Sequence, residues 1–325
     1  MTNNTILVTG GAGYIGSHVC KKLYKEGYNP VTFDNLIYGH KEAVKWGDLF
    51  IGDLLSETSI SEAFQKYKPA AVMHFAAYAY VGESVVNPSK YYRNNVIGSY
   101  NLLEAMRRMG VNNIVFSSTC ATYGIPNDSI IQENNAQIPV NPYGKTKLIV
   151  EQMLKDYDRA YGIHNVSLRY FNAAGADPDC EIGENHDPET HIIPLLLDAA
   201  SGRKNNFTIF GNDYNTPDGT CIRDYIHVND LSNAHILSLE RLLSGLSSDC
   251  FNLGTGRGYS VTEVINSVKR VTGNDFSINI GLRRDGDPPI LISNYNKAKE
   301  ILNWMPQYID IDSIIQTAWN WHKAN

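Results

Sequence analysis

A glycine-rich turn between an apolar stretch and a helix limits the possible folds of this chain more than any other feature. Residues 5–9 are mostly apolar, as a buried strand requires, and Gly10, Gly13 and Gly16 follow at intervals of three. A helix is predicted over 17–26. Backbone N–H groups and the helix dipole at such a turn bind a pyrophosphate without a basic side chain. Spaced glycines alone are a weak signal, since ordinary strand-to-helix turns also use them.

An acidic residue after the second predicted strand makes the signal stronger. Asp34 follows the β-prone residues 31–33 and stands 18 positions after Gly16. This is the place of a ribose-binding acid in dinucleotide sites. A carboxylate there accepts from the ribose hydroxyls and repels a 2′-phosphate. The pattern therefore predicts NAD rather than NADP as the cofactor.

Strands and helices alternate through the first half of the chain. Strands are predicted over 5–9, 31–33, 49–51, 70–75, 112–118 and 165–170, and helices over 17–26, 58–67, 88–109 and 143–161. This alternation predicts an α/β fold with a doubly wound parallel sheet, whose ligands lie beyond the carboxyl ends of the strands. From 172 to 225 the pattern turns irregular, which predicts a lobe made of loops. Residues 226–256 are predicted to return to the first sheet as a helix and a strand.

Composition excludes several kinds of partner. The 325 residues include 28 basic and 34 acidic side chains, with no basic block, so nucleic acid is not an expected partner. The longest apolar run is too short to span a membrane. Met1 to Thr5 shows no signal peptide. The five scattered cysteines favour a reducing cytoplasm over a disulfide framework.

Several polar side chains follow predicted strands. Asp53 can accept from an adenine amino group while Leu54 covers the ring. The alternative for Asp53 is a cap for the helix over 58–67, although Ser56 fits that cap better. Small residues at Ala76 and Ala77 let a dinucleotide lie against the backbone.

Three other polar residues lie before the middle of the chain. His74 is interpreted as a core histidine. Asn94 and Asn95 lie inside a predicted helix, where asparagine is unusual. They either reach the cofactor, brace a loop, or are buried amides bonded to the backbone.

A tyrosine and a lysine share one face of the helix predicted over 143–161. Tyr143 and Lys147 are four residues apart, which suits a phenolic base beside an ammonium group. The positive charges of Lys147 and of a nicotinamide ring would lower the tyrosine pKa from about 10. Thr119, at the end of the fifth strand, can share the proton. Tyr295 and Lys299 have the same spacing in an ordinary helix, so the pattern depends on its context.

Motifs along nearly the whole chain resemble the extended short-chain dehydrogenase/reductase family, and within it the UDP-sugar 4-epimerases. The matching stretches are TGGAGYIGSH at 9–18, VGES at 81–84, FSST at 116–119, PYGKTK at 142–147, LRYFN at 168–172, IFGNDY at 209–214, DGTCIRDYIHV at 218–228 and NLGTG at 252–256. The resemblance implies an isomerase that uses NAD to epimerise C4 of a UDP-hexose, UDP-galactose to UDP-glucose, through a transient 4-keto sugar. It also implies a homodimer in which helices 88–109 and 143–161 pair with their copies.

The same resemblance implies two interleaved parts. Residues 1–171, with the returning segment 226–256, would form an NAD-binding Rossmann domain, and residues 172–325 a smaller lobe that binds the nucleotide sugar.

It also implies a set of site residues. Thr119, Tyr143 and Lys147 would be catalytic. The cofactor would contact Gly10, Gly13, Tyr14, Ile15, Gly16, Asp34, Asn35, Asp53, Leu54, Phe75, Ala76, Ala77, Asn94, Ser117, Tyr143, Lys147, Tyr170 and Phe171. The substrate would contact Thr119, Tyr143, Asn172, His191, Ile192, Thr208, Ile209, Phe210, Arg223, Arg284 and Asp287. Arg223 and Arg284 would hold the diphosphate. A surface ion pair is the alternative for either arginine.

Single positions distinguish the other reactions and substrates found in this family. Related dehydratases and decarboxylases carry acids directly after the threonine, where this chain has Cys120 and Ala121. Ala79 and its neighbours leave UDP-xylose/UDP-arabinose 4-epimerisation as the runner-up. Leu291 occupies the position that gates N-acetylated sugars, so weak or no activity on UDP-N-acetylhexosamines is expected.

Two readings lie outside sugar chemistry. A non-enzymatic NAD-binding regulator usually lacks the tyrosine or the lysine, and both are present here. No metal is expected at His186 and His191, because no helical spacing supports a site.

Overall fold

The computed structural model describes residues 4–126, 128–284 and 287–325. Its elements up to residue 170 are β1 (Thr5–Thr9), α1 (Tyr14–Lys25), β2 (Asn29–Asp34), β3 (Asp48–Ile51), α2 (Glu57–Tyr67), β4 (Ala71–His74), α3 (Val81–Val86), α4 (Pro88–Tyr91), a π-helical segment (Tyr92–Ile97), α5 (Gly98–Met109), β5 (Asn113–Thr119), β6 (Ile130–Ile131), α6 (Pro142–Tyr161) and β7 (His164–Tyr170). Short 3₁₀ helices cover Lys41–Ala43 and Cys120–Tyr123.

The remaining elements follow in the second half. They are β8 (Asn172–Ala174), α7 (Ile192–Ala200), β9 (Asn206–Phe210), β10 (Ile222–His227), α8 (Val228–Leu243), β11 (Asp249–Leu253), β12 (Gly258–Ser260), α9 (Val261–Thr272), β13 (Ser277–Gly281), β14 (Ile290–Ser293), α10 (Asn296–Leu302) and α11 (Ile311–Ala324). Among the described residues, no helix is both long and apolar enough to cross a membrane.

The chain divides into two compact units. The first comprises Met1–Gly124, Gln137–Arg169 and Ser232–Phe251, and the second comprises Ile125–Ala136, Tyr170–Leu231 and Asn252–Asn325. The assignment of a cofactor to one part and a sugar nucleotide to the other remains a prediction.

One large sheet runs through the first unit. Among the described strands its order is β11-β7-β5-β4-β1-β2-β3. The pairs β1–β2, β1–β4, β2–β3 and β4–β5 are parallel. Its strand order reverses between β1 and β4, so a ligand crevice is expected beside the carboxyl ends of these strands. The predicted doubly wound α/β sheet is confirmed, and β11 returns to it as expected.

Apolar strand residues explain why this sheet is covered. Leu7, Val31 and Val72 come from three neighbouring strands and lie in one core with Phe64 of α2 and Leu102 of α5. All five are at most 1% exposed, so both the strands and the helices contribute to a dry core. Such side chains each contribute about 1.5–3 kcal/mol when fully buried.

The second unit corrects the prediction that 172–225 is a lobe of loops. Within that range the chain forms β8, α7, β9 and β10. Helix α7 is apolar on most of its surface and therefore lacks the polar face that marks an amphipathic helix. Strand β10 carries charged residues, including the buried Asp224, whose carboxylate accepts from Thr255 and Ser293.

The described residues of the second unit form two sheets. One has the order β12-β10-β14-β6, with β8 also paired to β10, and the other joins β13 to β9. Strand β6 lies among residues predicted to belong to the first part, yet it pairs with β14, some 160 positions later. A separate core here includes Leu196, Tyr225, Val264 and Ile314.

A buried ion pair fastens helix α6 to strand β7 in the first unit. The Arg169 guanidinium donates to both carboxylate oxygens of Glu151, at 2.6 to 3.2 Å. It also donates to the Tyr123 hydroxyl at 2.8 Å. The two charged side chains are only 2% and 1% exposed, so either charge would be left without water if its partner were removed.

Arg169→Met is expected to lower the free energy of unfolding by about 3–5 kcal/mol, because it leaves Glu151 as an unpaired buried carboxylate. Arg108→Met is the matched control, since its ion pair with Glu57 is 51% and 61% exposed. That control should cost under about 1 kcal/mol. Urea unfolding curves measure both values. Equal losses in the two variants would contradict the role given to burial.

Candidate active site

The glycine turn after β1 is shaped by close backbone packing. Gly10 has φ +73, and a Cβ on it would lie 2.6 Å from the Ala76 nitrogen. A Cβ on Gly16 would clash with the Gly10 carbonyl oxygen. Gly13 is the N-cap of α1, and no side chain in the described part of the chain caps that helix. The turn therefore offers a bare helix start, which suits a pyrophosphate.

Asp34 is held in place by the backbone around the glycine turn. Its carboxylate accepts from the Ala12 nitrogen at 3.0 Å and from the Leu36 nitrogen at 2.9 Å. Burial raises the pKa of this carboxyl, and the two backbone hydrogen bonds oppose that effect. The side chain is thus fixed at the end of β2, where a ribose-binding acid is predicted.

The end of β3 is tied to the end of β2. The Asn35 amide donates to the Asp53 carboxylate at 3.1 Å, and Asp53 also accepts from the Leu55 nitrogen at 2.8 Å. Helix α2 is capped by Ser56, whose hydroxyl accepts from the Ser59 nitrogen. Ser56, not Asp53, is therefore the cap of α2.

His74 is a core residue at the end of β4. Its Nδ1 lies 2.7 Å from the Thr9 hydroxyl and its Nε2 2.8 Å from the Ser99 hydroxyl. Burial and the charge of Lys147 lower its pKa to about 3, so the imidazole is neutral at working pH.

The two asparagines in the π-helical segment have different roles. Asn95 is 2% exposed, accepts from the Tyr78 nitrogen and donates to the Tyr78 oxygen and the Thr146 hydroxyl. It therefore braces the loop after β4 against α6. Asn94 donates to the Asn95 side chain at 3.0 Å.

Tyr143 and Lys147 lie in the first turns of α6, as the sequence predicts. The helix starts at Pro142, and the Asn141 side chain caps it by accepting from the Gly144 nitrogen at 2.8 Å. The Lys147 ammonium lies 6.0 Å from the centre of the Tyr143 ring and donates to the Ser117 carbonyl at 2.7 Å.

The start of α6 is pressed against the residues that follow β5. A Cβ on Gly144 would lie 2.5 Å from the Ala121 oxygen. Ala121 in turn donates its backbone N–H to the Thr119 hydroxyl at 3.2 Å. Thr119 therefore belongs to the same local structure as the beginning of the Tyr143 helix.

The candidate sugar-nucleotide residues of the second unit include one ion pair and one cation–π pair. Arg223 donates to the Asp287 carboxylate at 3.1 Å. The Arg284 guanidinium lies 4.3 Å from the centre of the Phe210 ring. The Asn172 side-chain amide donates to the backbone carbonyl of Asp224 at 3.0 Å.

Four further residues singled out in the sequence lie in or beside elements of the second unit. Phe171, which follows β7, donates its N–H to the Leu253 oxygen at 3.2 Å. His191 is the N-cap of α7, and Ile192 is the first residue of that helix. Leu291 lies in β14, beside Arg223 of β10, and is 7% exposed.

Two glutamates beside His186 and His191 were not named by the sequence reasoning. Nδ1 of each imidazole faces both Glu184 and Glu189. Burial lowers the imidazole pKa values, but the carboxylates outweigh it and raise them to about 9 for His186 and about 10 for His191.

The predicted site residues are distributed over the two units. The first unit contains Gly10, Gly13, Tyr14, Ile15, Gly16, Asp34, Asn35, Asp53, Leu54, Phe75, Ala76, Ala77, Asn94, Ser117, Thr119, Tyr143 and Lys147. The second contains Tyr170, Phe171, Asn172, His191, Ile192, Thr208, Ile209, Phe210, Arg223, Arg284 and Asp287.

A family model described as "NAD dependent epimerase/dehydratase family" matches residues 6–254. The chain belongs to this family. A UDP-glucose 4-epimerase from Rhizobium leguminosarum bv. trifolii is 52% identical over 326 residues, which cover 100% of this chain and 99% of the relative.

Solved structures agree with the sequence match. A UDP-glucose 4-epimerase from Brucella ovis in complex with NAD has a TM-score of 0.95 and 54% identity, covering 98% of each chain. A UDP-Glc/GlcNAc 4-epimerase from Campylobacter jejuni has a TM-score of 0.86 and 41% identity, covering 99% of this chain and 100% of its own. The resemblance stated from the motifs is therefore confirmed over the whole chain.

NAD is the cofactor of the NAD dependent epimerase/dehydratase family, and the first unit fits it. The bare start of α1 suits the pyrophosphate, and the fixed carboxylate of Asp34 suits the adenosine ribose. Which of the individual residues contact the cofactor remains a prediction.

The ammonium group of Lys147 is buried, and burial shifts its pKa. Burial lowers its pKa from 10.5 to about 7, and the nearby charge of Glu151 offsets only part of that effect. Because the folded pKa lies below the unfolded one, the unfolded chain binds more protons between pH 7 and 10.5. This lysine therefore destabilises the fold at low pH, and the fold regains that stability as pH rises through this window.

Lys147→Met is expected to remove this pH dependence. Raising the pH from about 6 to 9 should stabilise the wild type by about 2–3 kcal/mol more than the variant, in protein stripped of nucleotide. Urea unfolding at both pH values measures the difference. Lys145→Met, on an exposed position of the same helix, should behave like the wild type. Parallel pH profiles for wild type and Lys147→Met would contradict the assignment.

Proposed function

We propose that this chain interconverts UDP-galactose and UDP-glucose by reversible oxidation at C4 of the sugar. The observation that carries the proposal is the placement of Tyr143 one helical turn before the buried ammonium of Lys147. That pair lies in a unit with a dinucleotide-binding turn and in a chain about half identical to UDP-glucose 4-epimerases.

The chemistry divides among few side chains. NAD, when bound, would supply the hydride acceptor and donor. Tyr143, as a phenolate, takes the proton of the 4-hydroxyl, and Thr119 shares that hydrogen bond. Lys147 stabilises the phenolate by its charge. Loss of the C4 hydride together with this proton leaves a 4-keto sugar, which rotates in the site. Return of a hydride to the opposite face of C4, and of the proton from Tyr143, completes the epimerisation.

Side chains of the second unit are proposed to hold the UDP portion while the sugar turns. Arg223 and Arg284 carry guanidinium groups suited to a diphosphate, and Asp287 can accept from the uridine ribose. Their present partners, one ion pair and one aromatic ring, keep these side chains oriented. Asn172, His191, Ile192 and the segment 208–210 complete the proposed set.

Tyr143→Phe is expected to lower turnover with UDP-galactose by at least about 10²-fold, because it removes the acid–base group, while NAD and UDP still bind. A coupled assay that detects only UDP-glucose measures turnover, and calorimetry measures UDP binding. Tyr295→Phe is the control, since Tyr295 stands four residues before Lys299. A Tyr143→Phe enzyme with a near-normal rate would refute the assignment.

We also infer a homodimer, with α5 and α6 paired against their copies. The inference is supported by apolar side chains that remain exposed along the first of these helices and the π-helical segment before it. Ile97 is 50% exposed and Tyr100 is 48% exposed, three residues further on the same face. A cytoplasmic location remains our prediction; none of the five cysteines, all within described residues, forms a disulfide.

The double variant Ile97→Glu/Tyr100→Glu is expected to be monomeric, because two carboxylates would be buried in the apolar interface. Light scattering after size-exclusion chromatography measures the mass. Ile51→Glu, at a 63% exposed position of an edge strand, is the control and should keep the dimer. A wild type of monomer mass, or a dimeric double variant, would overturn the inferred interface.

A further inference from the structure

Two imidazoles and two carboxylates of the second unit bring one ligand atom each within 4.8 Å of one another. We propose that Glu184, His186, Glu189 and His191 form a binding site for one divalent transition metal ion, with Zn²⁺ the best fit. These four residues are called the His–Glu cluster below. The cluster shares His191 with the residues proposed to hold the sugar nucleotide, whereas Glu184, His186 and Glu189 have no part in the proposed epimerase chemistry.

The four distances between imidazole nitrogens and carboxylate oxygens are close to those around a tetrahedral ion. His191 Nδ1 lies 2.9 Å from Glu184 Oε1 and 2.9 Å from Glu189 Oε1. His186 Nδ1 lies 3.3 Å from Glu184 Oε1 and 3.6 Å from Glu189 Oε2. Around a tetrahedral Zn²⁺ with bonds of about 2.0–2.1 Å, neighbouring ligand atoms stand roughly 3.3 Å apart. The four donors can therefore reach one ion with small side-chain movements.

The donor types and their charge select the kind of ion. Imidazole nitrogen with carboxylate oxygen suits Zn²⁺ and similar transition metals, whereas Ca²⁺ and Mg²⁺ prefer all-oxygen shells. Two carboxylates balance the charge of one dication when both imidazoles are neutral.

Burial and access are both suitable for a bound ion. The side chains of Glu184 and Glu189 are 7% and 12% exposed, so the acidic side is largely shielded from water. His191 is 42% exposed and leaves an entry path. A partly buried site with one open side binds an ion more strongly than a solvated group of surface acids.

An ion at this place would hold the amino end of α7. Glu189 already accepts from the backbone nitrogens of Thr190 and His191, both at 2.7 Å. The same carboxylate would ligate the ion. The metal would therefore link the loop before α7 to His191, the N-cap of that helix.

A second group of acids nearby offers an internal comparison. Asp177, Asp179 and Glu181 also bring their carboxylate oxygens within 4.8 Å of one another. This group has no imidazole, and two of its members are exposed. It therefore serves as the control for loose binding of cations to acidic residues.

The test uses the full-length holoenzyme, treated with a chelator and then titrated with Co²⁺. We expect one Co²⁺ per chain, with the visible d–d absorption of a four- or five-coordinate ion, and its displacement by one equivalent of Zn²⁺. His186→Gln and, separately, Glu184→Gln should weaken Co²⁺ binding at least about tenfold. The double variant Asp179→Asn/Glu181→Gln should bind as the wild type does.

Several results would overturn the site. They are the absence of d–d absorption in the wild type, unchanged affinity in folded His186→Gln, and a loss confined to the Asp179→Asn/Glu181→Gln control. A thiolate-to-metal charge-transfer band would place the ion on cysteine instead. If a variant fails to fold, as judged by circular dichroism, the wild-type spectrum and stoichiometry decide alone. No epimerase assay enters the test, so its outcome is separate from that of the proposed function.

Discussion

Burying the ammonium group of Lys147 is the constraint on which the proposed chemistry depends. A lysine that is 3% exposed loses the hydration that normally keeps it charged, and its pKa falls to about 7. The Ser117 carbonyl accepts one of its hydrogen bonds, and Glu151, one turn later, adds negative charge. With a pKa of about 7, the Lys147 amine is readily protonated when a negative charge lies close to it. A phenolate at Tyr143 is such a partner, so the proton of the substrate and the charge of the lysine are coupled.

Close packing at two glycines sets the positions of the candidate site residues in the first unit. At Gly10 and Gly144 the backbone of another segment lies where a Cβ would be, beside Ala76 and Ala121. The first contact seats the glycine turn on the end of β4, and the second seats α6 on the turn after β5. The strand ends and helix starts of the first unit are therefore set by close backbone packing. This backbone packing also determines where the side chains of Asp34, Thr119 and Tyr143 lie.

The sequence predicts the first unit well and the second poorly, for physical reasons. Strands such as β1 and β5 are short apolar runs bounded by turn residues, so local pattern is sufficient. Helix α7 is apolar nearly all round, and Asp224 of β10 is tolerated only because Thr255 and Ser293, distant in sequence, donate to it. The pairing of β6 with β14 is likewise decided by packing and not by local preference. The His–Glu cluster was missed because its four donors meet in an irregular loop, without the fixed spacing of a helix.

Retention of hydrogen at C4 tests the account most directly. The substrate would be UDP-galactose carrying deuterium at C4, incubated with the enzyme in ordinary water, and the UDP-glucose formed would be analysed by mass spectrometry and NMR. Reversible oxidation in a closed site predicts that the deuterium stays at C4 of the product. Deuterium washed out into solvent, or no UDP-glucose at all, would contradict it.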